Sequence, residues 1–122
     1  MAKTILIVDD DPDILESLGD LVQLKLGMSA VTAPSGPEGL QILRRQAVDA
    51  VVSDFRMPGM NGCAFLHQAQ ELRPHLPAIL ISAFQNVILA EDGCDGVELA
   101  GFLAKPVDPL AFETLLASAM GA

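Results

Sequence analysis

The sequence predicts an α/β domain built on a doubly wound, five-stranded parallel sheet. Three observations carry this. Short apolar runs without polar alternation, such as Ile5-Leu6-Ile7-Val8 and Ala78-Ile79-Leu80-Ile81, are what strands buried on both faces require. Between the runs, apolar residues recur at helical spacing. The links between them are short, and the alternation of strand with helix calls for right-handed crossovers.

The elements follow in order. Thr4 to Val8 forms a first strand and ends on Asp9-Asp10-Asp11. Asp11-Pro12 reads as an N-cap with proline at the first helical position, and Ile14, Leu15, Leu18, Leu21 and Val22 give the helix an apolar face as far as Gly27. A weaker strand covers Ser29 to Ala33. Ser35-Gly36-Pro37-Glu38 has the form of a capping box, opening a helix with Leu40, Ile42 and Leu43 that runs to about Gln46. The central strand spans Asp49 to Ser53. A helix carrying Phe65, Leu66, Ala69 and Leu72 closes before Pro74, and Ala78 to Ile81 is a fourth strand ending on Ser82. Phe102 to Ala104 is a fifth, ending on Lys105-Pro106. Asp108-Pro109 repeats the Asp-Pro helix start, with Leu110, Phe112, Leu115, Leu116 and Ala119 along one face. One segment resists the pattern. Gln85 to Gly101 should hold the fourth helix, yet Gly93 and Gly96 interrupt it, each costing about 1 kcal/mol against alanine. A short helix near Val87–Glu91 followed by irregular chain is expected.

With 122 residues, 51% of them apolar, residues 1–122 read as one domain with a core that needs no metal or disulfide staple. A net charge of −9 argues against direct nucleic-acid binding or an anionic membrane surface. No apolar run could span a bilayer, so a soluble, cytoplasmic protein is expected. Cys63 and Cys94 lie far apart without metal-type spacing and are read as reduced thiols.

The chemistry converges on one stretch, Val51-Val52-Ser53-Asp54-Phe55-Arg56-Met57-Pro58-Gly59-Met60-Asn61-Gly62. Asp54 sits where a buried strand gives out, the edge of an α/β sheet at which ligands bind, although an Asp there can also simply cap a turn. Other strand ends decide between the two. Asp9 and Asp10 follow the first strand, Ser82 the fourth and Lys105 the fifth, and neighbouring strands lie about 4.8 Å apart. Clustered carboxylates repel, and a divalent cation with a taste for oxygen, such as Mg2+, relieves the repulsion. A lysine and a hydroxyl beside them suit a phosphoryl oxygen. Nucleophile, metal clamp and donors together are what phosphoryl transfer to an aspartate needs.

These residues, with Ile7-Val8-Asp9-Asp10, Met57-Pro58-Gly59-Met60-Asn61-Gly62, Ile81-Ser82-Ala83 and Phe102-Leu103-Ala104-Lys105-Pro106 in order, resemble the receiver domain of bacterial two-component response regulators over essentially the whole chain. The resemblance implies a flavodoxin-like (βα)5 fold, here with an irregular or shortened fourth helix. It implies that Asp54 accepts a phosphoryl group from a sensor histidine kinase or phosphotransfer protein, and that the domain catalyses nothing beyond its own phosphorylation and dephosphorylation. Mg2+ (or Mn2+) would be held by Asp10, Asp54 and the backbone carbonyl of Arg56, with Asp9 acting through water. Ser82 would be the switch hydroxyl, Phe102 a rotating aromatic and Lys105 the counter-charge to the phosphate. The Lys105–Pro106 peptide is expected to be cis. Asp11 is read as a cap rather than a ligand, and His67 and His75 as surface residues. Arg56 and Phe84, two residues beyond Asp54 and Ser82, would shield the acyl phosphate and lengthen its life.

The broken fourth-helix segment departs from the family pattern and puts the usual output surface in doubt. In the family that helix, the fifth strand and the fifth helix form a face that responds to phosphate, and homodimerisation through it is left open here. The output partner is unknown, and a stand-alone regulator and a fragment of a larger protein are equally compatible with the sequence. Two rival readings stand beside this one. One is a receiver-like interaction module that works without phosphate. The other is an aspartyl-phosphate hydrolase using Asp9, loosely like the haloacid-dehalogenase phosphatases, for which a cap domain and a second acidic metal motif are lacking. A flavodoxin-like cofactor binder fails because no Ser/Thr/Gly-rich phosphate loop follows the first strand.

Overall fold

The computed structural model describes residues 2–83 and 94–121. Phe84 and the helix expected near Val87–Glu91 lie outside them. Five strands, β1 (Thr4–Val8), β2 (Ser29–Ala33), β3 (Ala50–Asp54), β4 (Ala78–Ser82) and β5 (Gly101–Ala104), form one parallel sheet in the order β2-β1-β3-β4-β5. Helices α1 (Pro12–Asp20), α2 (Gly36–Arg45), α3 (Gly62–Leu72) and α4 (Pro109–Ala119) pack on its two faces. Helix α4 is the one expected to close the chain.

Alternate residues of each central strand serve opposite layers, which is why those strands carry no polar alternation. Leu6, Val8, Val51 and Leu80 meet α2 and α3 through Leu40, Leu43, Phe65 and Leu66. Ile5, Ile7, Val52, Ile79 and Ile81 meet α1 and α4 through Leu18, Val22, Phe112 and Leu116. Every residue of β3 and β4 is buried.

The helix starts predicted at Asp11, Ser35 and Asp108 are present. The side chains of Asp11, Ser35 and Asp108 accept from the backbone N–H groups of Asp13, Glu38 and Ala111. Helix α1 departs from expectation at its end, widening into a π-helical turn over Leu21–Lys25. The N–H of Leu26 reaches back to the carbonyl of Leu21 at 3.2 Å, and that of Met28 to Val22 at 3.1 Å. Gly27, at φ +64, lets the chain leave the helix in the left-handed region.

The chain from Cys94 to Ala100 is irregular, as expected, and leads into β5 with Gly96 at φ +85. The reading of Cys63 and Cys94 as separate reduced thiols is overturned: the two form a disulfide across a sequence separation of 31 residues. Their distance in sequence concealed it. The fold sets Cys63 in the first turn of α3 and carries Cys94 over the same helix, bringing their Cα atoms within 4.9 Å.

Candidate functional site

The strand order fixes the site. Because β3 lies between β1 and β4, and β5 beside β4, residues at the carboxyl ends of four strands open onto one edge of the sheet. Val8 pairs with Ser53, Asp54 with Ile81, and Ser82 with Ala104. Asp9, Asp54, Ser82 and Lys105 therefore stand side by side, and Asp10 joins them from the turn after β1.

Asp54 is held from behind as well as from the sides. The hydroxyl of fully buried Ser53 donates to the Asp54 carbonyl at 2.9 Å. The loop that follows closes on itself: the N–H of Gly62 donates to the carbonyl of Phe55 at 2.7 Å, and Asn61 caps α3 by accepting from Ala64 N–H at 2.8 Å. A side chain at position 62 has no room, since a Cβ there would overlap the carbonyl oxygen of Asp54 and a methyl of Leu80. Ser53 and Gly62 both lie within the stretch on which the sequence chemistry converges, yet nothing there assigns either residue a role. Ser53 reads as one more buried strand residue, and Gly62 as one more loop glycine.

Ligand oxygens of Asp9, Asp10 and Asp54 all lie within 4.8 Å of one another. Lys105 Nζ stands 3.0 Å from Asp54 Oδ1 and 3.5 Å from Asp9 Oδ2. The other oxygen of Asp9 accepts from the N–H of Asp11 at 2.9 Å. Asp9 and Asp54 are buried, at 2% and 5% exposure, whereas Asp10 faces solvent. Burial raises the carboxyl of Asp9 to a pKa of about 6, against the bond from Asp11, and the charge of Asp54 adds to the rise. Burial also raises that of Asp54, with Lys105 pulling it back. For Lys105 burial acts downward, but the bonds and charges of Asp54 and Asp9 outweigh it and raise its pKa. Three carboxylates against one ammonium leave an excess of negative charge that a hard divalent cation fits.

The remaining predicted residues fall as follows. Ser82 is buried at the end of β4, and Arg56 is an exposed residue of the loop after β3. Phe102 is half-buried and packs against the core layer beneath α3. The Lys105–Pro106 peptide is cis, as expected. Asp11 caps α1 and lies outside the carboxylate cluster. His67 and His75 are at the surface, beside Glu71 at 3.4 Å and Glu98 at 3.0 Å.

Comparison with known proteins agrees with this geometry. Residues 5–117 match the response regulator receiver domain family. The transcriptional regulatory protein GlrR of Escherichia coli is 41% identical over 106 residues, which are 85% of this chain and 23% of that protein. The chain thus spans about a quarter of that relative's length. The crystal structure of a putative response regulator from Chloroflexus aurantiacus superposes with a TM-score of 0.84 at 28% identity, covering 100% of both chains. A receiver domain of a Pseudomonas aeruginosa sensor histidine kinase, solved with a magnesium ion coordinated in its active site cleft, gives a TM-score of 0.87 at 22% identity over 100% of both chains. At that identity it shows the fold alone. The chain belongs to the receiver domain family of two-component response regulators. Nothing in these comparisons supports the phosphate-independent module or the hydrolase using Asp9.

Proposed function

We propose that residues 1–122 act as a phosphoacceptor domain in which Asp54 takes a phosphoryl group from the phosphohistidine of a sensor histidine kinase or a phosphotransfer protein. The observation that carries this is the contact between Lys105 Nζ and Asp54 Oδ1 at 3.0 Å inside a three-carboxylate cluster. An Asp54 carboxylate oxygen attacks phosphorus, the P–N bond breaks, and the imidazole keeps the bonding electron pair. Lys105 meets a phosphoryl oxygen with a positive charge, and the Ser82 hydroxyl supplies a hydrogen bond. Asp10, Asp54 and the Arg56 carbonyl would hold Mg2+ (or Mn2+), with Asp9 reaching it through water. When bound, the ion would neutralise charge on the transferred group. Phe102, next to Leu103 on β5, is assigned to report the state of Ser82 to the surface.

Beyond this self-phosphorylation and its reversal the domain has no turnover reaction to perform. It acts by changing protein contacts with an output partner, without touching nucleic acid itself, in the cytoplasm. Among the described residues no helix is long and apolar enough to cross a membrane. The test is the intact mass after incubation with Mg2+ and acetyl phosphate, for wild type and Asp54→Asn. A single phosphoryl adduct on wild type only, abolished by chelation, supports the assignment. An adduct that survives in the variant moves the nucleophile to Asp9, and none on either protein leaves the phosphate-independent module.

A further inference from the structure

The Cys63–Cys94 disulfide plays no part in the chemistry above, yet it joins two places that matter to it. Cys63 follows Gly62, the residue packed against the Asp54 carbonyl. Cys94 begins the described run that leads to β5 and hence to Lys105. The bond therefore fastens the approach to β5 onto the first turn of α3.

That approach has a second, non-covalent anchor further along. Gln70 of α3 donates from Nε2 to the carbonyls of Leu76 at 3.0 Å and Glu98 at 2.8 Å. Its Oε1 accepts from Glu98 N–H at 2.9 Å. His75 lies 3.0 Å from the Glu98 carboxylate, Val97 and Leu99 pack on the core layer, and Ala100 N–H donates to the Ala78 carbonyl at 2.8 Å. With Glu98 held independently of the sulfurs, opening the disulfide releases the chain only up to about Val97 and leaves the core intact.

We propose that Cys63 and Cys94 form a reversible dithiol–disulfide switch, by which the redox state of the surroundings fixes or frees the start of the approach to β5 on helix α3. Disulfides of cytosolic proteins are mostly conditional, opened and closed by exchange with the glutathione pool. Closing follows that chemistry. One thiolate attacks a low-molecular-weight disulfide, giving a mixed disulfide and one thiol, and the second cysteine then displaces the other thiol. Two thiols of the protein are oxidised, the small disulfide is reduced by two electrons, and the two protons pass to its thiols. Reduction is the reverse: a small thiol attacks one sulfur and the other cysteine leaves as a thiol, then a second small thiol attacks the small thiol's sulfur in the mixed disulfide and frees the remaining cysteine.

The consequence for Asp54 rests on the phosphoacceptor reading. The bond ends on Cys63, beside the Gly62 that packs against the Asp54 carbonyl, so closing it stiffens the turn behind the phosphoacceptor. The oxidised form takes phosphate severalfold more slowly.

The experiment uses the full chain equilibrated with reduced or with oxidised glutathione, beside a Cys63→Ser, Cys94→Ser double variant. Thiol alkylation followed by mass counts the free cysteines, amide exchange reads Cys94 to Val97, and acetyl phosphate with Mg2+ gives the adduct rate. Support consists of two alkylated thiols only after reduction, and amide exchange over Cys94–Val97 about tenfold faster in the reduced form. The variant should behave as the reduced protein under both conditions. Equal exchange in both states, thiols that never pair, or loss of protection throughout the reduced chain overturns the switch. An adduct that forms in neither state overturns the phosphoacceptor reading, while amide exchange still decides the tether. An adduct rate indifferent to redox state overturns the coupling to Asp54.

Discussion

Replacing Asp9 with Asn should make the metal-free protein more stable at neutral pH while weakening its response to Mg2+. The carboxyl of Asp9 is raised from 3.8 to about 6 in the folded chain, chiefly by burial. Each unit corresponds to about 1.4 kcal/mol, so the ionised group costs the folded state about 3 kcal/mol at most. Asparagine carries no charge to desolvate, and its side-chain oxygen can still accept from Asp11 N–H. The lost 3.5 Å contact with Lys105 is already within that figure, because the pull of the lysine counts in the value of about 6, but the amide N–H2 that replaces a carboxylate oxygen is buried beside a cation and offsets part of the gain. A net gain of about 1–2 kcal/mol, or about 3–10 °C in Tm, remains. Asp9 binds its proton more tightly when folded, so the unfolded chain holds fewer protons between the two pKa values. Its contribution to stability therefore falls as pH rises through that window. Wild type and variant should coincide below about pH 4, separate between about pH 4 and 6, and keep a constant difference above. Denaturant melts across that range with chelator present measure this, and taking the difference between the two proteins removes the other carboxylates. Adding Mg2+ should then raise wild type more than the variant. A variant less stable than wild type at about pH 8, or a difference that does not change with pH, would refute the cost assigned to the buried Asp9 charge.

Two further substitutions address the neighbours of Asp54. Lys105→Met leaves the Asp9 and Asp54 carboxylates without their cation, and should cost about 1–3 kcal/mol at neutral pH, because Lys105 is itself partly exposed. Its adduct rate with acetyl phosphate should drop by about tenfold or more, and an unchanged rate would remove Lys105 from the site. Gly62→Ala forces a Cβ into the Asp54 carbonyl and Leu80, and should cost about 2 kcal/mol or more in denaturant melts, with slower adduct formation. A neutral effect on both would mean that the loop relaxes freely and does not set the position of Asp54.

The parts of this protein that could be read from its sequence are those where a local pattern and the fold make the same demand. Leu6 and Ile7 must both be apolar because they face opposite layers, so a run without alternation already implies helices on two faces. Asp11, Ser35 and Asp108 each cap a helix within three residues of themselves, and such short-range bonds need no knowledge of the fold. The carboxylate–lysine cluster is different in kind, since Asp9, Asp54 and Lys105 come from distant parts of the chain. It was nonetheless legible, because each residue stands at a strand end and parallel strands bring all their carboxyl ends to one edge. The Cys63–Cys94 pair had no such guide. Neither cysteine lies at a strand end or repeats a spacing, and their meeting depends on where the fold sets Cys94 against the first turn of α3. The support beneath Asp54 was hidden for the opposite reason. Ser53 and Gly62 are small residues in places where small residues are unremarkable, and only the closeness of the Asp54 carbonyl gives them a task. Reactive groups announce themselves by their chemistry, whereas the residues that hold a reactive group still do so by shape, which becomes visible only after folding. For the same reason the effect of Gly62→Ala on adduct formation is the sharper probe of this site: it alters no charge, so a slower reaction would show that the position of Asp54 is set by packing.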